Sequence, residues 1–253
     1  MRVVTLSLCL FSLLLHGCAT TGESFVYVDE DARARAKLLT QLGVGYMREG
    51  RLEVAMDRLE RAVDVVSRYA PAHNGLALLK ERLGQNDDVE DHYQRAVTLD
   101  PDYSAARTNY GRFLCLTDRP DDAFAQFKAA VENPLYEAPE LAHYNAGLCM
   151  MRNENFDGAE AHFRRALTIN ERMAPSLIAM SDLSLRRERD LSARAYLQRY
   201  LEVGDHTPKT LWLGVQIERR LGDRNAESSY AMLLRSKYPD SPETARLMKS
   251  PTQ

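Results

Sequence analysis

The 253-residue chain has four cysteines and six histidines, the side chains best suited to bind a metal ion or to act in nucleophilic catalysis. The histidines show no HExxH spacing, and His143 and Cys149 would lie on nearly opposite faces of a helix. The sequence also has no glycine-rich phosphate loop and no G-x-S-x-G elbow around a serine. We therefore predict that the protein is not an enzyme and that it binds no metal, cofactor or small-molecule substrate.

Cys18 follows a stretch that is typical of a secretory signal peptide. Met1 and Arg2 form a short, positively charged amino-terminal region, and residues 3–15 carry no charge. This stretch is too short to span about 30 Å of hydrocarbon as a helix. The tetrapeptide Leu-His-Gly-Cys at 15–18 resembles a bacterial lipobox. The resemblance implies a signal peptide at 1–17 and a lipid-modified Cys18, whereas the alternative is an ordinary signal peptide with a chance cysteine.

The same resemblance implies where the protein is held. Cleavage after Gly17 would leave Cys18 at the amino terminus, where a further acyl chain such as palmitate is added. Several acyl chains give stable anchoring, because each buried methylene contributes about 0.8 kcal/mol. Ala19, rather than an aspartate, follows the cysteine, which by resemblance to bacterial sorting favours the outer membrane. We therefore expect a lipid-anchored outer-membrane protein that faces the periplasm on a flexible tether at residues 18–35.

Composition and charge narrow the class of protein further. The chain has 33 basic and 36 acidic residues, and the net charge of −3 gives no long-range attraction for a phosphate backbone. Hydrophobic residues make up 45% of the chain and charged residues 27%, as in ordinary folded domains. Strong helix formers are abundant, whereas the 13 glycines and 10 prolines are scattered. We therefore predict an all-α protein that does not bind nucleic acid.

The elements that position any binding surface recur with a period of about 34 residues. Each copy combines a small residue, an alanine and a large apolar residue four positions further on. Two antiparallel helices need the small residue where they cross closely, and the large residue fills the gap to the next copy. The pattern resembles the tetratricopeptide repeat, which implies a right-handed superhelix of stacked helix-turn-helix hairpins. The residues that carry it are Gly43, Gly111 and Gly147; Ala55, Ala123, Ala159 and Ala193; Leu59, Phe127, Phe163 and Leu197.

We count six repeats and place them at residues 36–69, 70–103, 104–139, 140–173, 174–207 and 208–243. A carboxyl-terminal tail would follow at 244–253. The period lengthens by about two residues between the third and fourth repeats, where Pro134 and Pro139 must break the helical pattern. The alternative to a repeat solenoid is an unrelated helical bundle.

Cys115 and Cys149 would lie in the first helices of the third and fourth repeats. Cys115 follows Gly111 by four residues and Cys149 follows Gly147 by two, so the cysteines lie at nearly equivalent depth. Neighbouring first helices pack side by side in such solenoids, and an exported protein meets an oxidising compartment. We therefore predict a disulfide between them. The alternative is two buried thiols that behave as small apolar side chains.

The first helices also carry the residues that could bind another polypeptide. An arginine recurs two residues before each turn within a repeat, except in the third repeat, where Leu116 takes its place. This ladder either grips acidic groups of a partner or complements the carboxyl ends of its own helices, which contributes about 0.3–1 kcal/mol per charge. Apolar neighbours on the same face suit docking of a helix or strand. The candidate partner-binding residues are Val44, Met47, Arg48, Leu78, Arg82, Tyr144, Leu148, Met151, Arg152, Arg186, Trp212 and Arg220.

Three stretches, at residues 42–63, 110–149 and 219–243, resemble one family more closely than the generic repeat does. The segment Asn-Pro-Leu-Tyr at 133–136, with cysteines on either side, is the most specific of these features. They are similar to the type IV pilus biogenesis lipoproteins PilF and PilW. The resemblance implies a pilotin, an outer-membrane lipoprotein that binds subunits of the secretin PilQ and supports their outer-membrane localisation or assembly into a ring. An adaptor in outer-membrane protein assembly or cell-wall regulation is the alternative function.

Overall fold

The structure of the chain, a computed structural model, describes residues 29–85 and 87–249. The predicted signal peptide at 1–17 and the predicted lipidation site Cys18 lie outside these residues. The described residues form thirteen α-helices and no β-strand. None of these helices is both long enough and apolar enough to cross a membrane. Their bounds are α1 (Glu30–Arg48), α2 (Leu52–Val65), α3 (Ala70–Leu83), α4 (Val89–Leu99), α5 (Ser104–Leu116), α6 (Pro120–Glu132), α7 (Pro139–Arg152), α8 (Phe156–Ile169), α9 (Ala174–Arg186), α10 (Asp190–Leu201), α11 (Pro208–Leu221), α12 (Arg224–Lys237) and α13 (Pro242–Lys249).

The helices pack as hairpins that stack in chain order. Each odd-numbered helix from α1 to α11 is the first helix of a hairpin and packs against the second helix that follows it. Successive first helices contact one another along the whole stack, and each second helix contacts the first helix of the next hairpin. A hairpin therefore buries its apolar faces against its neighbours in the chain, as in a solenoid. The prediction of an all-α solenoid of helix-turn-helix repeats is confirmed.

Glycine allows the two helices of a hairpin to approach closely. A Cβ atom on Gly111 would lie 2.7 Å from Cε1 of Phe127, and one on Gly147 would lie 2.5 Å from Cε1 of Phe163. Both phenylalanines are almost completely buried. A larger residue in place of either glycine would displace an aromatic ring from the core. The repeated glycine and the repeated large residue are therefore steric partners across the helix crossing.

The ends of the helices follow from local sequence signals. Proline lies in the first turn of α3, α6, α7, α9 and α11, where its missing N–H costs no helical hydrogen bond. The turn inside each hairpin contains a residue with a left-handed backbone within two residues of the end of the first helix, which stops that helix, and the turn between α3 and α4 contains a second one, Asp88. Glycine supplies this residue in three hairpins and an acidic residue supplies it in three others: Gly50, Gly84, Gly222, Asp118, Glu154 and Glu188.

The first helix begins earlier than the repeat pattern indicates. Asp29 caps α1, because its side chain accepts a hydrogen bond of 3.2 Å from the backbone N–H of Asp31. The carboxylates of Glu30 and Asp31 lie in the first turn, where their negative charges interact favourably with the positive end of the helix dipole and stabilise the helix. Residues 30–35 are therefore helical, and the predicted tether at 18–35 is wrong over these six residues.

A helix also covers the carboxyl-terminal end of the stack. α13 packs against α11 and α12 and buries Leu247 in one apolar cluster with Leu211, Val215 and Leu234. Without this helix the hairpin of α11 and α12 would expose part of that cluster to water, because no other helix of the described residues covers it. The predicted tail at 244–253 is therefore wrong for residues 244–249, which form most of α13.

A disulfide joins Cys115 of α5 to Cys149 of α7. Their Cα atoms are 5.8 Å apart, within the usual range for this bond. Both cysteines are buried in an apolar cluster that includes Leu114 and Phe127. The structure thus contains the covalent bond rather than two separate thiols. It ties the first helices of the third and fourth hairpins together at the junction where the sequence period is longer.

Candidate functional site

The first helices of the last three hairpins form a groove of about 770 Å³, which we call the C-terminal groove. α7, α9 and α11 line most of it, and α13 closes one side. Its apolar lining includes Tyr144, Leu148, Met151, Ile178 and Trp212. A groove of this size with aromatic and aliphatic walls suits a segment of another polypeptide.

The groove is built from residues in equivalent repeat positions. Ile178 follows Tyr144 by 34 residues and precedes Trp212 by 34, so these three side chains form one row across α7, α9 and α11. A second row contains Leu148 and, at the same spacing, Asp182. Stacking brings equivalent positions of successive repeats side by side, which explains why residues far apart in sequence share one surface. Ile178 and Asp182 were absent from the sequence prediction, although their register with Tyr144 and Leu148 was a signal that could have identified them.

The structure brings only part of the predicted partner-binding set to this groove. Five predicted residues line it, and Arg152 lies one helical turn beyond Leu148 with its side chain exposed. The predicted residues on α1 and α3 do not line the groove, and Met47 and Leu78 pack instead against buried clusters of the first four hairpins. The residues in the groove are Tyr144, Leu148, Met151, Arg186 and Trp212; those on α1 and α3 are Val44, Met47, Arg48, Leu78 and Arg82.

Two arginines of the ladder, Arg82 and Arg220, make hydrogen bonds within the protein. Arg82 donates a hydrogen bond of 2.5 Å from Nη1 to the backbone oxygen of Met47, in the last turn of the preceding first helix. Arg220 does the same to Leu185 at 2.9 Å, and its Nε also lies 3.0 Å from a carboxylate oxygen of Asp190. Each of these carbonyl oxygens also accepts a backbone N–H from the turn that follows, so the arginine adds a second donor at the carboxyl end of the preceding first helix. Arg82 and Arg220 therefore stabilise the stacking of repeats, and their assignment as partner-binding residues stays a prediction.

The remaining charges make the surroundings of the C-terminal groove net positive. Arg186 donates from Nε to Asp182 at 2.9 Å, so this pair is internally balanced. Among the residues that the structure describes, Arg152, Lys209 and Arg246 have no carboxylate within 4.0 Å of their charged nitrogen atoms. Glu243 is an acidic residue in the lining that has no ion pair at this distance within the same residues. A partner segment with carboxylates beside its apolar residues would complement this surface.

Two histidine pairs link the helices of single hairpins, a feature that sequence reasoning missed. The Nδ1 atoms of His73 and His92 are 3.0 Å apart, and those of His143 and His162 are 3.2 Å apart. In both pairs the spacing is 19 residues, and the second pair lies in the same repeat positions as the first. His73 donates from Nε2 to the backbone oxygen of Ser67 at 2.9 Å, so its Nδ1 must accept the proton of His92.

Burial keeps these imidazoles neutral. It lowers the pKa of His92 to about 4, with a further contribution from the neighbouring His73, and lowers the pKa of His143 to about 4 beside His162. The pKa values of His73 and His162 are also lowered by burial. Within residues 29–85 and 87–249, no three histidine, cysteine or acidic side chains converge in a way that could hold a metal ion. The pairs are structural hydrogen bonds that join the two helices of a hairpin.

Comparison with known proteins agrees with the solenoid of repeats. Tetratricopeptide-repeat sequence models match residues 40–104, 75–137 and 140–172. The chain belongs to the tetratricopeptide repeat family. It is a homologue of the type IV pilus assembly protein PilF of Pseudomonas aeruginosa, to which it is 26% identical over 235 residues, or 92% of this chain and 93% of that protein.

Solved structures lead to the same relatives. The crystal structure of PilW, a widely conserved type IV pilus biogenesis factor, superimposes with a TM-score of 0.79 at 27% identity, over 85% of this chain and 98% of that chain. The structure of Pseudomonas aeruginosa PilF superimposes with a TM-score of 0.76 at 26% identity, over 87% of this chain and 97% of that chain. The resemblance to the PilF and PilW family stated from the sequence is confirmed.

Proposed function

We propose that this protein is a non-enzymatic scaffold for type IV pilus assembly. It is a pilotin: the lipid on Cys18 holds it at the outer membrane, and the repeats bind subunits of the secretin PilQ. Binding promotes the outer-membrane localisation of these subunits and their assembly into a ring. The observation that carries the proposal is the similarity to PilF, which extends over 92% of this chain and 93% of that protein and therefore includes every repeat.

The geometry of the C-terminal groove supports binding of a polypeptide. Its apolar row of Tyr144, Ile178 and Trp212 can receive side chains of a partner segment, and the uncompensated cations near it can pair with the partner's carboxylates. A solenoid presents such a surface without a large internal rearrangement, because its first helices are already fixed by stacking. We therefore assign the C-terminal groove as the site that holds the secretin subunit.

Deletion of the gene tests the proposed function. We expect loss of surface pili and loss of heat-stable secretin multimers, with secretin subunits recovered as monomers. Both phenotypes should return when the wild-type gene is supplied on a plasmid. Normal pili together with a general defect of the envelope would contradict the proposal and support an adaptor in outer-membrane protein assembly or cell-wall regulation.

The lipid anchor is tested by replacing Cys18 with serine. The variant should be exported but should appear in the soluble periplasmic fraction, because serine cannot carry the thioether-linked diacylglycerol and one signal for stable anchoring is lost. Fractionation of cells and mass spectrometry of the mature amino terminus provide the measurement. Continued association of the serine variant with the outer membrane would refute the anchor.

The groove is tested by Leu148→Asp. The Leu148 side chain is 40% exposed in the groove, so the change costs the fold little, but it places a carboxylate where the partner's apolar residues would pack. We expect the variant to bind purified secretin subunits at least about tenfold more weakly than wild type does. Leu116→Asp is the matched control, since Leu116 is 52% exposed on α5 and lies outside the groove. Equal binding by the two variants would exclude the groove as the secretin site.

A further inference from the structure

The loop at 133–138, between α6 and α7, presents an apolar side chain to solvent. Leu135 at its tip is 84% exposed, the largest exposed fraction among the large hydrophobic side chains of the described residues. The loop is also where the repeat period is longer, so it is an addition to the regular hairpin. Exposed leucines are common on protein surfaces and need no special explanation when they stand alone. The bonding around Leu135 distinguishes it from such cases.

Hydrogen bonds fix the backbone on both sides of the tip. Asn133 donates from Nδ2 to the backbone oxygen of Asp102 at 2.8 Å and to the hydroxyl of Ser104 at 3.0 Å. Its Oδ1 accepts the backbone N–H of Leu135 itself at 2.9 Å. On the other side, the hydroxyl of Tyr136 lies 3.1 Å from the hydroxyl of Thr108 on α5. The loop is thus held on the preceding hairpin by the residues that flank Leu135.

This arrangement gives Leu135 no evident role in the fold. The contacts that hold the loop come from Asn133 and Tyr136, whereas the Leu135 side chain is exposed to solvent. A rigid apolar tip loses little conformational entropy when another protein covers it, because its backbone is ordered before binding. Side chains with these properties often act as anchors that contribute much of the binding energy at an interface.

The charges near the tip indicate what kind of surface it fits. Glu132, Glu137 and Glu140 lie within five residues of Leu135, and Glu132 and Glu137 are exposed. Glu132 has a long ion pair of 3.8 Å with Lys128. The segment around Leu135 therefore combines an exposed leucine with acidic residues nearby in the sequence, whereas cations accompany the apolar lining of the C-terminal groove.

We propose that Leu135 is an anchor residue that inserts into an apolar pocket, bordered by lysine or arginine, on the secretin subunit. This inference rests on the proposed function and adds a second contact to it. The C-terminal groove binds side chains of the secretin subunit, whereas the Leu135 side chain inserts into a pocket of that subunit. Two contacts on different hairpins fix the orientation of the bound subunit as well as its attachment.

The test compares Leu135→Ser with Leu191→Ser. Leu191, at the start of α10, is 70% exposed and supplies a matched change outside the loop and outside the groove. Binding of the purified secretin subunit to the full lipidated chain in detergent is measured by titration. We expect Leu135→Ser to bind roughly tenfold more weakly than wild type, while Leu191→Ser binds as wild type does. Equal affinity of the two serine variants would overturn the inference and leave the proposed function standing.

Photocrosslinking in living cells is a second readout that does not depend on purified subunits. A benzophenone amino acid at position 135 is compared with the same group at position 191. An adduct of position 135, and not of position 191, with the secretin subunit supports the anchor role of Leu135, whereas an adduct with other proteins alone refutes it. No adduct from position 135, or equal adducts from both positions, refutes the anchor role.

Discussion

Replacing Cys115 and Cys149 together by alanine is expected to lower the free energy of unfolding by about 4 kcal/mol. The disulfide closes a loop with a sequence separation of 34 residues, and loss of the bond restores the conformational freedom of that loop in the unfolded chain. A difference of this size lowers the melting temperature by roughly 10 °C in a protein of this length. The effect is concentrated at one place, because the stability of a solenoid is approximately the sum of local repeat and interface contributions.

Thermal unfolding and hydrogen exchange measure this result. The double alanine variant should lose amide protection first in α5 and α7, the helices that the bond joins. Reduced wild-type protein is the control, since it lacks the bond but keeps both sulfur atoms. An unchanged melting temperature in both samples, or two free thiols in unreduced protein from the periplasm, would contradict the stabilising role of the bond.

Acidification from pH 7 to pH 5 is expected to destabilise the protein through the two histidine pairs. The folded state lowers the pKa values of His92 and His143 to about 4, whereas unfolded histidine titrates near 6.5. The unfolded chain therefore binds more protons below pH 6.5, so stability falls with pH until the folded imidazoles titrate near pH 4. We expect a loss on the order of 1–2 kcal/mol per pair at pH 5.

Charges around the pairs act mostly in the same direction. Arg95 and Lys80 lower the pKa of His92, Arg95 lowers that of His73, and Arg165 lowers that of His143, whereas Asp88 raises the pKa of His92. The resolved shifts of carboxylates, those of Glu90 and Glu160, lower their pKa values. For example, hydrogen bonds from Arg189 and Arg164 hold the pKa of Glu160 at about 2, so its contribution to stability is lost below pH 4.5. Measurements between pH 7 and pH 5 therefore report mainly on histidine.

Equivalent positions in other repeats of the chain indicate which substitutions should remove this pH dependence. The fifth and sixth repeats place leucine and tyrosine where the second and fourth place a histidine pair. Chemical denaturation of a variant with leucine at positions 73 and 143 and tyrosine at 92 and 162 should show a much flatter pH profile. A small slope should remain from His206, whose pKa is also lowered by burial. An unchanged slope would show that other groups carry the acid sensitivity.

The regular part of the fold could be predicted because its physical cause is local. Gly147 and Phe163 are visible in the sequence as a small and a large residue at a repeated spacing, and steric exclusion makes them partners. The start of α1 could not be placed in the same way. Its first turn is polar and precedes the apolar period, so the cap provided by Asp29 was the available signal.

The candidate site was predictable in part for a similar reason. Tyr144 and Trp212 stand out as aromatic residues on predicted first helices, but Ile178 between them resembles an ordinary core residue until the repeats are aligned. The bond from Arg82 to the backbone of Met47 depends on how far one hairpin is displaced from the next. The period alone does not specify that displacement. The histidine pairs depend likewise on which faces of the two helices in a hairpin meet.

The short α13 determines more than the burial of Leu247. Each internal hairpin packs against the hairpins before and after it through similar surfaces, so the stacking contact itself does not limit the number of repeats. α13 interrupts this series, because it is a single helix with no partner helix after it within the described residues, and it turns Arg246, Met248 and Lys249 outward. Because α13 covers the end of the stack, a second molecule cannot pack there in the way that one hairpin packs on the next. End-to-end association of molecules through a copy of that contact is therefore blocked at α13.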